Sequence, residues 1–345
     1  MTLLQGVWWG SWFAAAASVA AIVVLVVWQS IANRLTRRRA TRKALLRSRL
    51  IVDWLESELP DSDKLEADDK KILVELGHEF VNTIRGVTLS RALNVLRSLG
   101  MIEFCLSELD ARHQARRVHA IELLAALSGA DARDDLQRKL SDASWPVRLA
   151  AAKALIRIDA MPDPERLAAA LDTHRHGHSR ELRTLIKDIA RRDPLRLIAL
   201  LDRGVNEHIR VLIIHALGRS GAYQVVASLL PYANDPSVDV RAETFRSFAT
   251  LQHPLAVETI HAGLSDPAWE VRTQAAIAAG RLRVDESIDD LAALLEDPVW
   301  WARYRAAEAL ANLGDRGRAV LAERVATGAP SGPLAGQVLA ESRPI

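Results

Sequence analysis

Three histidines fall at alternate positions in the stretch Thr173-His-Arg-His-Gly-His-Ser179: His174, His176 and His178. Imidazole is a common zinc ligand, and a zinc site needs its ligands to converge tetrahedrally. Alternate residues of one loop diverge instead, and neither a cysteine nor an acidic cluster adjoins them. The expectation is a solvated loop with no metal. Cys105 is the only cysteine, so no intrachain disulfide can form. It sits in the apolar run Met101-Ile-Glu-Phe-Cys-Leu106, where a small buried thiol fits better than a nucleophile. The chain has no Gly-rich phosphate loop, no H-E-x-x-H and no nucleophile elbow. Carboxylates are plentiful but are spread over amphipathic patterns, where close pairs arise by chance. No catalytic residue and no cofactor are expected, and the chain does not read as an enzyme.

Two other residue classes could recognise a partner. Tryptophan stands three residues before a recurrent arginine at Trp145, Trp269 and Trp300, and Trp301 follows the last. Rings at a fixed place in a repeat are explained by packing between units. The doublet Trp300–Trp301, with Tyr304 one turn on, also suits a partly exposed anchor for a protein. Both readings stand at this point. Positive charge is concentrated elsewhere: Arg34 to Arg49 holds eight Arg or Lys and no acid, which leaves 37 basic against 43 acidic residues, or −6, in the remainder. A nucleic-acid interface needs a continuous field over several phosphates. Arg157, Arg219 and Arg281 make a thin line that Thr250 and Asn312 interrupt, so no nucleic acid is expected.

The element holding the basic run is legible directly before it. Val7 to Trp28 carries no charge, and its 20 helical steps from Trp8 span about 30 Å, the thickness of the hydrocarbon layer. Trp8, Trp9 and Trp12 mark one end and Trp28 the other. Charge after the apolar run, with no small-residue cleavage site, argues against a removed signal. The expectation is one transmembrane helix at 7–28 in a bacterial inner membrane. Residues 1–6 then lie outside, and everything after Trp28 is cytoplasmic because Arg and Lys are retained on that side. Arg34 to Arg49 also offers contacts to anionic lipid headgroups. Gly6, Gly10, Ala14 and Ser18 form a small-residue stripe on which a second membrane helix could pack. A basic juxtamembrane helix at 29–60 follows, with Leu35, Leu45, Leu46, Leu50, Trp54, Leu55 and Leu59 as its apolar face. Pro60 and the polar run after it close this helix.

The tryptophans and arginines belong to a repeat. DPSVDVRAETFRSFATL from Asp235, DPAWEVRTQAAIAAGRL from Asp266 and DPVWWARYRAAEALANL from Asp297 put Arg241, Arg272 and Arg303 at intervals of 31 residues. Arg210, Arg148 and Arg117 continue the register backward, with Arg180 as the best match in a drifted unit. A 31-residue period without strand alternation predicts stacked helix pairs. Each has a first helix such as 257–264, a turn at Asp266-Pro267, and a second helix over 268–279 with aspartate as its cap. Residues two and five beyond each marker arginine, Glu243 and Arg246 among them, are expected to face out of the stack.

The D-P-x-x-x-V-R-x-x-A-A-x-A-L pattern resembles the HEAT repeat, in the short form found in phycobilin lyases. The resemblance covers 100–315, with a degenerate helical cap at 61–99 and a capping repeat at 316–345. It implies an all-α chain, an α–α superhelix of the HEAT/ARM-like solenoid type preceded by the transmembrane helix. It also implies a structural ladder of Asp235, Asp266 and Asp297 with Arg241, Arg272 and Arg303. The function expected is a membrane-tethered scaffold or adaptor that binds a membrane-associated protein partner at the cytoplasmic face. Such a partner would be a glycan synthase, a transporter or a receptor. A lyase-like enzyme resembling the phycobilin lyases is the alternative.

Overall fold

Alanine-rich 31-residue units fold as helix pairs because their apolar positions recur at helical spacing, while Asp-Pro or its equivalent breaks the chain between helices. The computed structural model describes the backbone of residues 2–50, 65–171, 179–203 and 205–342; within the first helix, side chains are described from Ala21 on, except at 23, 31, 32 and 35. The described residues form nineteen α-helices with short 3₁₀ turns and no strand. They divide into two compact units, Met1–Ala160 and Met161–Ile345.

In the second unit the second (B) helices of the pairs are Arg180–Arg192, Glu207–Gly218, Val238–Leu251, Trp269–Leu282 and Trp300–Asn312, each packed on the next. Their contact faces are small: Ala275, Ala276, Ala278, Ala279, Ala306 and Ala307 are fully buried. Glycine takes this furthest. A Cβ on Gly280 would lie 2.7 Å from Ala309 Cα, so only hydrogen fits between these helices. The A helices, such as Val257–Gly263 and Ile288–Leu294, cover the other side with Ile260, Leu264, Leu291 and Leu295. Gly263 leaves room for the Phe245 ring, which meets Phe248 edge-on at 5.9 Å. Helices Gly314–Ala326 and Gly332–Glu341 close this unit.

The first unit is built alike, from Ala67–Thr83, Val87–Ser98, Met101–Glu108, Gln114–Ser128, Arg133–Lys139 and Trp145–Arg157, with helix Thr2–Ser48 packed on Ala67–Thr83. That first helix runs on through the basic segment. Leu46 and Leu50 are buried, but Leu45 is exposed, so the docked stripe is narrower than the expected leucine face. Leu35 and residues 54–59 lie outside the described side chains.

Among the described residues no helix is long and apolar enough to cross a membrane. Most of the expected span, with its stripe Gly6, Gly10, Ala14 and Ser18, lies outside the described side chains. Two further expectations are corrected. The aspartates do not cap the B helices: Ser237, Ala268 and Val299 hold the cap positions, and Asp235, Asp266 and Asp297 stand two residues earlier. In the drifted unit Ser179 caps the helix, and Arg183, not Arg180, occupies the fourth position that Arg210, Arg241, Arg272 and Arg303 hold in theirs.

Candidate functional site

Marker arginines Arg210, Arg241 and Arg272 each join two turns. Arg241 donates from Nη1 to the Asp235 carbonyl of its own unit at 2.9 Å, and from Nε and Nη2 to the Asp266 carboxylate of the next at 2.8 and 3.0 Å. Arg272 repeats this with the Asp266 carbonyl at 2.8 Å and Asp297 at 2.7 Å. Asp235 therefore pairs with Arg210, and Arg303 holds only its own turn, through the Asp297 carbonyl at 2.7 Å. The Arg210 rung is looser, because its Nε lies 3.2 Å from Asp235 but out of hydrogen-bonding alignment. Each carboxylate also accepts the backbone N–H two residues on, at 2.8 to 2.9 Å. The Asp266 hydrogen bond raises the Arg241 guanidinium above its ordinary value. The Arg241–Asp266 and Arg272–Asp297 pairs are largely buried and committed within the stack.

The B-helix face of the second unit is different. Trp300 and Tyr304 stack at 5.1 Å with an interplanar angle of 11°, and Trp301 meets Trp300 edge-on at 4.8 Å. Trp300 is 45% and Trp301 50% exposed, so these rings do not wedge the stack. They stand at the helix start, beyond the small-residue contact face, which is why packing leaves them open. The Tyr304 hydroxyl donates to Glu341 at 3.4 Å, and Arg305 lies 5.6 Å from its ring centre. The charge of Glu308 raises the phenol above its ordinary value.

One unit earlier Trp269, 36% exposed, borders a groove of about 630 Å³ with Glu207, Asp239, Glu243, Arg246 and Glu270. A second hollow of about 320 Å³ shares Val211 and Glu243 with it and carries Arg183, Lys187 and His215. Glu243, expected to face outward, is buried at 6%. It survives there because Arg246 donates to it at 2.7 Å and His215 Nδ1 lies 2.9 Å away. With a carboxylate as acceptor, Nδ1 carries the proton.

The HEAT-repeat family model matches residues 102–188, 226–311 and 257–332, together more than half of the chain. The chain is a HEAT-repeat protein. Comparison with curated proteins found no match. Among solved structures the fold is similar to Kap121p bound to Ste12p, at 12% identity and TM-score 0.55 over 88% of this chain and 39% of that one. It is also similar to Kap121p alone, at 13% identity and TM-score 0.53 over 84% of this chain and 37% of that one. The HEAT chain thus spans about two fifths of these longer proteins. Human deoxyhypusine hydroxylase aligns at 22% identity over 71% of this chain and 96% of its own, with a TM-score of only 0.32.

The first unit of the HEAT chain holds its own polar clusters. Arg42 donates to both Asp69 oxygens at 2.7 and 2.6 Å, Lys43 reaches Glu79 at 2.5 Å, and Arg39 pairs with Glu75. The Arg42 hydrogen bond holds the Asp69 carboxyl below the usual range. Three of the eight basic residues are thereby committed to helix Ala67–Thr83. His78 and His119 stack at 4.4 Å, and His78 Nδ1 lies 2.8 Å from Glu122. Burial lowers His119. Burial alone would raise Glu122, but hydrogen bonds from His78 and Asn82 carry it down to about 2. Cys105 is buried, and desolvation followed by the charge of Glu108 pushes its thiol up to about 12. His174, His176 and His178 lie outside the described residues.

Sequence reasoning missed the Arg183–Lys187 pair and the acids facing the basic helix. Both had a helical signal: Arg183 and Lys187 are four apart, and residues 39, 42, 43, 46 and 50 form one stripe.

Proposed function

We propose that this HEAT-repeat protein is a membrane-tethered scaffold that holds a membrane-associated protein partner against the B-helix face of its second unit. The observation that carries the reading is the exposed Trp300–Trp301–Tyr304 cluster. Exposed aromatic clusters of this kind are typical anchors of protein interfaces. The similarity to Kap121p, seen bound to Ste12p, favours protein binding by a fold of this type.

Tethering rests on the uncharged run from Val7 to Trp28 and on the state of its described part. Ile22, Val24, Leu25 and Trp28 are 61 to 71% exposed, in a helix continuous with the basic segment. Apolar side chains in such a row need a nonaqueous neighbour. Arg34, Arg37 and Arg38 would then meet anionic headgroups at the cytoplasmic surface of an inner membrane. The partner is one of the membrane-bound assemblies, a glycan synthase, transporter or receptor.

The test is photo-crosslinking of the full chain in native membranes, with a crosslinking residue at position 308. Trp301→Ala with Tyr304→Ala should reduce the crosslinked membrane partner about tenfold or more without changing helical content. Equal crosslinking by both chains would overturn the reading, as would digestion of a C-terminal tag by protease added from outside intact cells.

A further inference from the structure

The two hollows on the B-helix face are joined at Val211 and Glu243, and their charges are opposite. At one end Arg183 and Lys187, both exposed on helix Arg180–Arg192, face His215. Neither has a carboxylate partner among the described residues. The one acid there, Glu243, is ion-paired with Arg246 and in contact with His215 Nδ1. At the other end Glu207, Asp239 and Glu270 line the groove together with the half-open Trp269 ring. Arg246 is occupied by Glu243, so this end presents net negative charge beside an aromatic face, an arrangement that favours a cation.

We infer that this groove binds an extended segment of a protein partner whose acidic side chain seats on Arg183 and Lys187 and whose Arg or Lys seats between Trp269 and the three carboxylates. This rests on the protein-binding reading above and adds the chemistry of the bound segment. Spacing follows from the stack. Neighbouring helix axes lie roughly 8–10 Å apart, and the two hollows are centred one to two helices apart. About three to six extended residues, at roughly 3.3 Å each, bridge that distance. A single-sign ligand satisfies one end and is repelled by the other.

The test uses the full chain in lipid nanodiscs and three fluorescent dodecapeptides in a Gly-Ser background. The first carries Asp-Asp and Arg-Arg separated by four residues, the second has Asp at all four charged positions, and the third has Arg at all four. Anisotropy titration should show the mixed peptide binding at least about tenfold tighter than either single-sign peptide. Arg183→Glu with Lys187→Glu, both at exposed positions, should remove that preference, and Asp239→Lys with Glu270→Lys should do the same from the other end. An all-acidic peptide that binds as well as the mixed one would reduce the site to an anion pocket and overturn the inference. So would no binding of the mixed peptide at millimolar concentration, or binding that is indifferent to both double variants. Crosslinking of a membrane partner that survives Arg183→Glu with Lys187→Glu but fails with Trp301→Ala would leave the scaffold reading intact and refute the groove alone.

Discussion

Asp266→Ala removes three hydrogen bonds at once: two from Arg241 at 2.8 and 3.0 Å, and one from the Ala268 N–H at 2.8 Å. The side chains of Arg241 and Asp266 are only 13% and 11% exposed, so the arginine left behind is poorly solvated. It keeps the Asp235 and Pro236 carbonyls at 2.9 and 3.3 Å, which moderates the loss. Breaking a buried ion pair costs about 3–5 kcal/mol, and the retained bonds place this site at the low end, about 3 kcal/mol. Asp266→Asn keeps an oxygen for the Ala268 N–H and gives up the charge, so about half that loss is expected. In a stack of repeats, stability is carried by neighbouring interfaces. The loss should therefore appear as local opening: native-state hydrogen exchange in helices Val238–Leu251 and Trp269–Leu282 should speed up about a hundredfold, with helix Gly332–Glu341 little changed. A double-mutant cycle with Arg241→Ala isolates the pair. Additive single and double losses, or an Asp266→Ala change below about 0.5 kcal/mol, would refute the view that this rung holds adjacent turns together.

Gly280→Val should lower the melting temperature by several degrees, because its Cβ would meet Ala309 Cα at 2.7 Å and overpacking costs about 1–3 kcal/mol. Gly336→Ala, whose Cβ meets only Val325 Cγ2 at 3.6 Å, should be neutral or slightly stabilising in the same melt. The Glu122 carboxyl sits at about 2 when folded and near 4.3 when unfolded. Its folded value is the lower one, so its stabilisation is complete above about pH 4.5 and drains away as the pH falls toward 2. Denaturation followed across that window should show a flatter acid limb for Glu122→Gln. Cys105, with its thiol pushed up to about 12, should resist maleimide in the native chain at neutral pH and react once denatured.

The repeat was legible because Arg241, Arg272 and Arg303 perform the same local task, holding the carbonyl of their own turn, and a local task leaves a constant period. The pairing of each arginine with the next aspartate depends on how units stack, so its direction was invisible in one chain's pattern. The B helix of the drifted unit begins at Arg180, out of step with the 31-residue period, so period counting chose Arg180 where Arg183 takes the fourth helical position. Glu243 read as solvent-facing from its place on the helix, because its burial is made possible by His215 on the preceding B helix. The openness of Trp300 and Trp301 was equally hidden. Their helix-start position is shared by packed and unpacked residues, and only the neighbouring unit decides between them.

The basic segment shows how distance along one helix divides the work of like charges. From Trp28, taken as the membrane-surface anchor on the reading proposed here, Arg34, Arg37 and Arg38 stand about 9 to 15 Å along the axis at 1.5 Å per residue. Arg42 and Lys43 stand roughly 21 and 23 Å away. Screening in physiological salt has a length of about 8 Å, so attraction to headgroups fades across this interval. Within Arg34 to Lys43, the residues farther from that anchor are the ones found on protein carboxylates: Arg39 on Glu75, Arg42 on Asp69, and Lys43 on Glu79 and Glu75. Buried Leu46 and Leu50 continue the same docked stripe beyond them. Where lipid electrostatics run out, ion pairs and apolar burial against helix Ala67–Thr83 take over. A helix anchored at one end by lipid and along its last turns by the first unit cannot swivel freely between the two.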